Sequence, residues 1–154
     1  VLDLLPKVKT KLFPIGRLDY DTEGLLLFTN DGQMAHRISH PSFLIQKTYL
    51  AHLKGNISKT FFEKMKKGAN LSDGFLLPEK LDLLSSNTDE SLIKMEIHEG
   101  RNHIVKNFFK YFGRDVAKLK RISVGPIKLG ELESGKIIKL DYNELEELKS
   151  IVFK

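Results

Sequence analysis

The chain has 154 residues, 41% of them hydrophobic and 29% charged, a composition that suits one soluble globular domain with its own core. It has no cysteine, which excludes disulfides, thiolate metal sites and a cysteine nucleophile and fits a reducing, cytoplasmic setting. No apolar run approaches the ~20 residues that a membrane-spanning helix needs, and no signal peptide is visible.

Val1 to Lys11 reads as a loop. Val1 is not a methionine, so the chain is expected to be cut from a longer one. Phe13 to Arg17 reads as a short strand. Leu25 to Thr29 is apolar without polar alternation, as in a strand buried on both faces, and Asn30-Asp31-Gly32 reads as the tight turn that closes it. Gln33 to Ser39 predicts a short helix ended by His40-Pro41. Ile45 to Leu53 predicts a strand stopped at Gly55, and Ser58 caps a helix running to Lys67 with Gly68 as its stop. Leu76 to Leu84 is interrupted by Pro78, so it is an edge strand or two short pieces. Ser91 to His98 alternates, with Ile93, Met95 and Ile97 on one face. Asn102 to Phe112 has Ile104, Val105, Phe108, Phe109 and Phe112 at helical spacing, and Gly113 terminates it. Asp115 to Val124 predicts a strand, Lys136 to Leu140 another across a Glu133-Ser134-Gly135 turn, and Tyr142 to Ser150 a closing helix. Strands outnumber helices and several links are short. The expected class is α+β, with a mixed, mainly antiparallel sheet flanked by helices.

The formal net charge is +5. Arg101, Lys106, Lys110, Arg114, Lys118, Lys120 and Arg121 are opposed in their stretch only by Asp115, a local +6, so one segment carries the whole basic excess. That is the footprint of a polyanion-binding surface, unless it is only a lysine-rich solvated face.

Three constellations carry chemistry. The first is Gly16-Arg17-Leu18-Asp19-Tyr20-Asp21-Thr22-Glu23-Gly24, an acidic, glycine-flanked loop that leads into the apolar run. It pins Asp19 where a carboxylate can act as nucleophile or base; the alternative is a solvated turn aspartate. Asp19, Asp21 and Glu23 also match early positions of a calcium loop, but Asn30 stands at the twelfth position, where the bidentate Glu belongs. A magnesium phosphoesterase built on Asp19 and Asp21 would need further acidic ligands that no later motif supplies. The second constellation is Gln46-Lys47-Thr48-Tyr49, where strand phase puts Lys47 and Tyr49 on one face. Tyr49 there can stack on a flipped base or simply pack. The third is Glu99-Gly100-Arg101-Asn102-His103-Ile104-Val105-Lys106, which places His103, Lys106 and Lys110 in one helical row. His98 and His103 lack a third partner for a metal and read as structural histidines.

The first run resembles the signature of the RsuA/RluB-type rRNA pseudouridine synthases, and the likeness extends from Val1-Leu2-Asp3-Leu4-Leu5-Pro6 to Ile137. The resemblance implies that Asp19 is catalytic, that Tyr49 in its Lys-x-Tyr segment lies against the target uracil, and that Lys106 supplies the cation that pairs with Asp19. The usual residue at the place of Lys106 is Arg, so this chain keeps the charge but loses the bidentate fork; Ile104 likewise replaces a Gln. Around Lys118-Leu119-Lys120-Arg121 the resemblance implies an apolar contact from Leu119 to the uracil and phosphate contacts from Lys118, Lys120 and Arg121. Lys47 and Arg101 join the RNA-binding set, and Arg17 fills the space left by an extruded base. Tyr20 and Ser39-His40-Pro41 favour the large-subunit branch. The small S4 RNA-binding domain that members carry, and a first catalytic strand with a Lys-Pro-x-Gly element, are not in this sequence. The expected activity is isomerisation of an rRNA uridine by a monomeric catalytic domain spanning 1–154, with no cofactor and no metal. The rivals are a non-catalytic RNA-binding domain and the phosphoesterase.

Overall fold

The computed structural model describes residues 11–101 and 103–153. The expected Val1–Lys11 loop lies almost wholly outside them. The chain forms β1 (Phe13–Ile15), β2 (Thr22–Gly24), β3 (Leu27–Thr29), α1 (Gly32–Ser39), β4 (Lys47–Lys54), α2 (Lys59–Met65), β5 (Ala69–Leu71), β6 (Gly74–Leu76), β7 (Lys80–Ser86), β8 (Glu90–Ile97), α3 (Ile104–Tyr111), β9 (Val116–Val124), β10 (Ile127–Lys128) and α4 (Tyr142–Val152). The α+β class is as expected. The main sheet runs β10-β9-β4-β8-β7, antiparallel throughout, and β2 adds to the outer edge of β9 in parallel. Among the described residues no helix is long and apolar enough to cross a membrane.

Local chemistry explains most elements. Ser58 accepts from the Phe61 amide and caps α2, and Asp141 and Glu144 form a reciprocal capping box at α4. In β8 the alternation holds: Ile93, Met95 and Ile97 are fully buried. The Pro78 interruption yields two pieces, β6 and the sheet-edge strand β7.

Three expectations fail for identifiable reasons. Leu25 to Thr29 is not one strand. Gly24 hands the chain from the β9 edge to a small separate sheet, β1-β3, and the burial of Leu25 and Leu27 comes from that second layer. Asn30-Asp31-Gly32 closes the strand not as a tight turn but as a helix start: Asp31 accepts from the Gln33 and Met34 amides and caps α1. Lys136 to Leu140 forms no strand, because the outer edge of β9 is already filled by β2 and by β10, which returns after the Gly125-Pro126 turn.

Gly24 is dictated by this packing. Its φ is +116°, and a Cβ there would fall 2.6 Å from the Arg121 nitrogen and closer still to its carbonyl oxygen. Two hydrophobic clusters result. One gathers Ala51, Ile93, Met95, Phe108, Phe109 and Leu119 between sheet and α3. The other gathers Ile15, Leu27, Ile38, Ile45, Val124 and Leu148 around α1 and α4. A cleft opens along the seam between them.

Candidate active site

The seam holds a cavity of about 420 Å³, within the range of small-molecule sites. Ile15, Ile38 and Val124 line it from one cluster; Ile104, Val105 and Leu119 line it from the other. Its polar wall contains Arg17, Asp19, Thr22, Lys47, Tyr49, Glu99, Arg101 and Arg121. Seven of the ten residues expected at the site from sequence therefore meet in one cavity: Arg17, Asp19, Lys47, Tyr49, Arg101, Leu119 and Arg121. The other three, Lys106, Lys118 and Lys120, do not line it.

Asp19 sits in the loop between β1 and β2. Its carbonyl accepts from the Thr22 amide at 2.9 Å, a turn that tightens the loop just as it joins the sheet. The carboxylate is partly covered, at 24% exposure. Its neighbour is His103, whose Nδ1 lies 3.2 Å from Oδ2. Lys106 does not pair with Asp19. Its Nζ pairs with Asp21, because the Asp19–Thr22 turn points Asp21 outward to the flank of α3 where the lysine emerges. Glu23, next along, pairs with Lys118 at 3.1 Å. The three acids that resembled a calcium loop thus each face a separate base. They do not converge on one point, and among the described residues no three metal-ligating side chains cluster. His98 lies against Glu79, so the two histidines singled out from sequence serve different carboxylates.

Tyr49 is half-buried on the cavity face of β4, two residues from Lys47 and directly across from Arg121 in β9. Lys47 is only 7% exposed, and its Nζ donates to the Ile38 carbonyl at 3.0 Å. Burial, and then the nearby charge of Arg121, lower its pKa from 10.5 to about 8. Arg121 is 5% exposed, and its Nε donates to the Leu25 carbonyl at 2.9 Å. It is a wall of the cavity rather than a surface cation, which corrects its grouping with Lys118 and Lys120. Strand alternation sends Leu119 and Arg121 inward and Lys118 and Lys120 to the opposite face. Arg101 spends its guanidinium on Glu99, on Asp73 at 3.0 Å and on the Phe75 carbonyl at 3.2 Å, clasping the β5–β6 hairpin to the cavity rim. Arg17 is exposed at the mouth.

Two site features escaped sequence reasoning. His103 reads as a helix-row residue, but it is the N-cap of α3 in a left-handed conformation (φ +53°), which turns its ring out of the row and toward Asp19. Glu99 joins the wall through its tie to Arg101; the only signal was its place beside that arginine.

The fold and site define an α+β domain whose cleft brings the carboxylates of Asp19 and Glu99, the ring of Tyr49 and the buried Lys47 and Arg121 together. The chain belongs to the RNA pseudouridylate synthase family, whose model matches residues 3–111. It is 44% identical over 146 residues to an uncharacterized RNA pseudouridine synthase of Aquifex aeolicus, covering 95% of this chain and 59% of that one. It is 40% identical over 153 residues to ribosomal large subunit pseudouridine synthase B of Bacillus subtilis, covering 98% and 63%. A crystal structure of a pseudouridylate synthase superposes with a TM-score of 0.81 at 37% identity, over 90% of this chain and 60% of that one. The chain thus spans about three fifths of the length of these relatives.

Proposed function

We propose that this chain is a catalytic domain that isomerises a specific uridine of ribosomal RNA, in the large subunit, to pseudouridine. The observation that carries the reading is the placement of Asp19 in one cavity with Tyr49 and Leu119. The kinship with the large-subunit synthase of Bacillus subtilis supports the choice of RNA. The uracil enters between Tyr49 and Leu119, and Asp19 either attacks the sugar or removes its C2′ proton. The N1–C1′ bond breaks, the ring turns, C5 bonds to C1′ as Asp19 leaves the sugar or its C2′ proton returns, and the C5 proton is lost while N1 gains one. Substrate and product are isomers, so the reaction consumes no net oxidant, reductant or water.

The remaining site residues take their parts around this step. Arg17, exposed at the mouth, fills the stack left by the extruded base. Lys47 and Arg121 make the inner wall positive, and Arg101 holds the rim. Lys106 tethers the signature loop through Asp21. Lys118 and Lys120 bind phosphate on the outer face. The domain acts as a cytoplasmic monomer on a uridine-containing stem-loop.

The test uses Asp19→Asn, which preserves shape and removes the reactive charge. Pseudouridine formed in large-subunit rRNA transcripts should fall by about a thousandfold or more while RNA affinity stays near wild type. Wild-type protein that binds these transcripts but converts no uridine in them would leave the RNA-binding domain as the better reading. Activity that disappears in chelator and returns with magnesium would favour the phosphoesterase.

A further inference from the structure

We infer that the outer face of the β5–β6 hairpin is a second RNA-binding surface, on which Phe75 stacks an unpaired nucleotide that flanks the target uridine. The inference rests on the proposed reaction at Asp19 and extends the footprint of the substrate beyond the cavity. Three observations carry it.

The first is how the hairpin divides its side chains. Ala69 and Leu76 stand opposite each other and are buried, whereas the next pair, Asn70 and Phe75, faces outward. Phe75 is 54% exposed, and Leu77, two residues on, is exposed as well. The second is that this exposed ring is held rather than loose. Its end sits over Gly68, where a Cβ would come within 2.6 Å of Phe75 Cζ, so the missing side chain there makes its seat. Arg101 donates to the Phe75 carbonyl at 3.2 Å and to Asp73 at 3.0 Å, and it also lines the cavity. One side chain therefore joins the ring's strand to the reaction site. A ring fixed in advance loses little freedom when a base stacks on it. The third is charge. Lys64, Lys66 and Lys67 are exposed at the end of α2 and lead directly into Gly68, the seat of the ring. Among the described residues only Lys66 of the three has an ion-pair partner, the exposed Glu63 at 3.7 Å, a contact weak enough for phosphate to displace. A fixed aromatic ring beside such lysines is the make-up of a single-strand binding surface. The ring takes the base, the ammonium groups take the phosphates, and the Asn70 amide offers a donor and an acceptor to the base edge. Lysine is depleted where proteins meet proteins, so the same three residues argue against a protein as the occupant.

Affinity for large-subunit rRNA transcripts decides the matter. Phe75→Ala alters an exposed side chain and leaves the backbone contacts in place, so it should melt with wild type. It should bind the transcripts about tenfold more weakly, with the loss falling on KM rather than on kcat. Phe75→Tyr keeps the ring and should bind as wild type does. Phe75→Leu keeps an apolar contact but loses the flat face, and it should bind as weakly as Phe75→Ala. Lys64→Gln, Lys66→Gln and Lys67→Gln together should flatten the log–log salt slope of binding by about two units. Phe75→Ala with wild-type affinity overturns the inference. So does Phe75→Leu with wild-type affinity, which would make the residue an apolar contact for packing or for a protein partner. A triple variant with an unchanged slope takes the lysines out of the phosphate path and overturns the surface as a whole. None of the binding measurements needs turnover. If wild type binds the transcripts and converts no uridine, the proposed function fails on its own while the affinities still decide the hairpin.

Discussion

Lys47 shows what one buried cation costs and what it offers. Its stem crosses the cavity wall and its amine ends on the Ile38 carbonyl, with the Arg121 charge nearby. Below pH 8 the amine is protonated in both folded and unfolded chains, so the penalty for burying it is fully present. Between pH 8 and 10.5 the folded protein sheds the proton while the unfolded chain keeps it. The unfolded state then binds more protons, and stability rises with pH across that window, by roughly 3 kcal/mol at most. Urea unfolding of wild type and Lys47→Met should show this as a wild-type gain of about 1–3 kcal/mol relative to the variant over that window. Equal pH dependence of the two would mean that Lys47 is not held in this environment. At neutral pH the residue stays cationic, which suits the proposed RNA-binding role of this wall. The pairing at Asp19 is the complementary case: a carboxylate kept partly exposed, in contact with His103.

Among the elements, β2 is the one on which the site depends. It has three residues, pairs in parallel with β9, and carries Asp19 at its entry. The Leu25 amide and carbonyl extend the join, giving to the Arg121 carbonyl at 2.8 Å and accepting from the Arg121 side chain. Gly24→Ala would drive a methyl group into this join at a φ that alanine avoids. The expected loss is about 3 kcal/mol or more, with β2 pulled off β9. A thermal melt reads the destabilisation, and a melt unchanged from wild type would refute the account of the join. Turnover should fall further than stability alone explains, because Asp19 and Leu119 approach each other only through this pairing.

Five residues of the basic segment divide among three places. Arg101 and Arg121 belong to the cavity, Lys106 to the signature loop, and Lys118 and Lys120 to the far face of β9. Each lysine that neutralises a phosphate of single-stranded RNA contributes about 0.7 to the log–log salt slope. Replacing Lys118 and Lys120 by Ala should therefore flatten it by about 1.4, and adding Arg121→Ala should change it no further. Lys118 is paired with an exposed glutamate, an ion pair weak enough for phosphate to displace. Binding of an rRNA stem-loop from low to moderate salt decides the matter. A slope unmoved by the double variant would make that face a solvated one only.

The sequence by itself determined the α+β class, nearly every element and the buried face of β8, whereas the meeting of Asp19, Tyr49 and Leu119 was implied only by the family resemblance. The first three follow from local rules. Side-chain alternation, helical spacing, caps and glycine stops act over a few residues, and the signature loop is long enough to be specific. Tertiary structure alone decided which base each acid met. It gave Asp19 to His103, Asp21 to Lys106 and Glu23 to Lys118. It also turned Arg121 inward, confined the strand of the Leu25–Thr29 run to Leu27–Thr29, and left Lys136 to Leu140 without a strand partner. The reason is distance along the chain. β2 and β9 are joined by contacts between residues 96 apart in sequence, and no periodicity within either strand specifies that register. An ion pair depends on that register and on the backbone turn at each end, so its partners emerge only when the sheet is assembled.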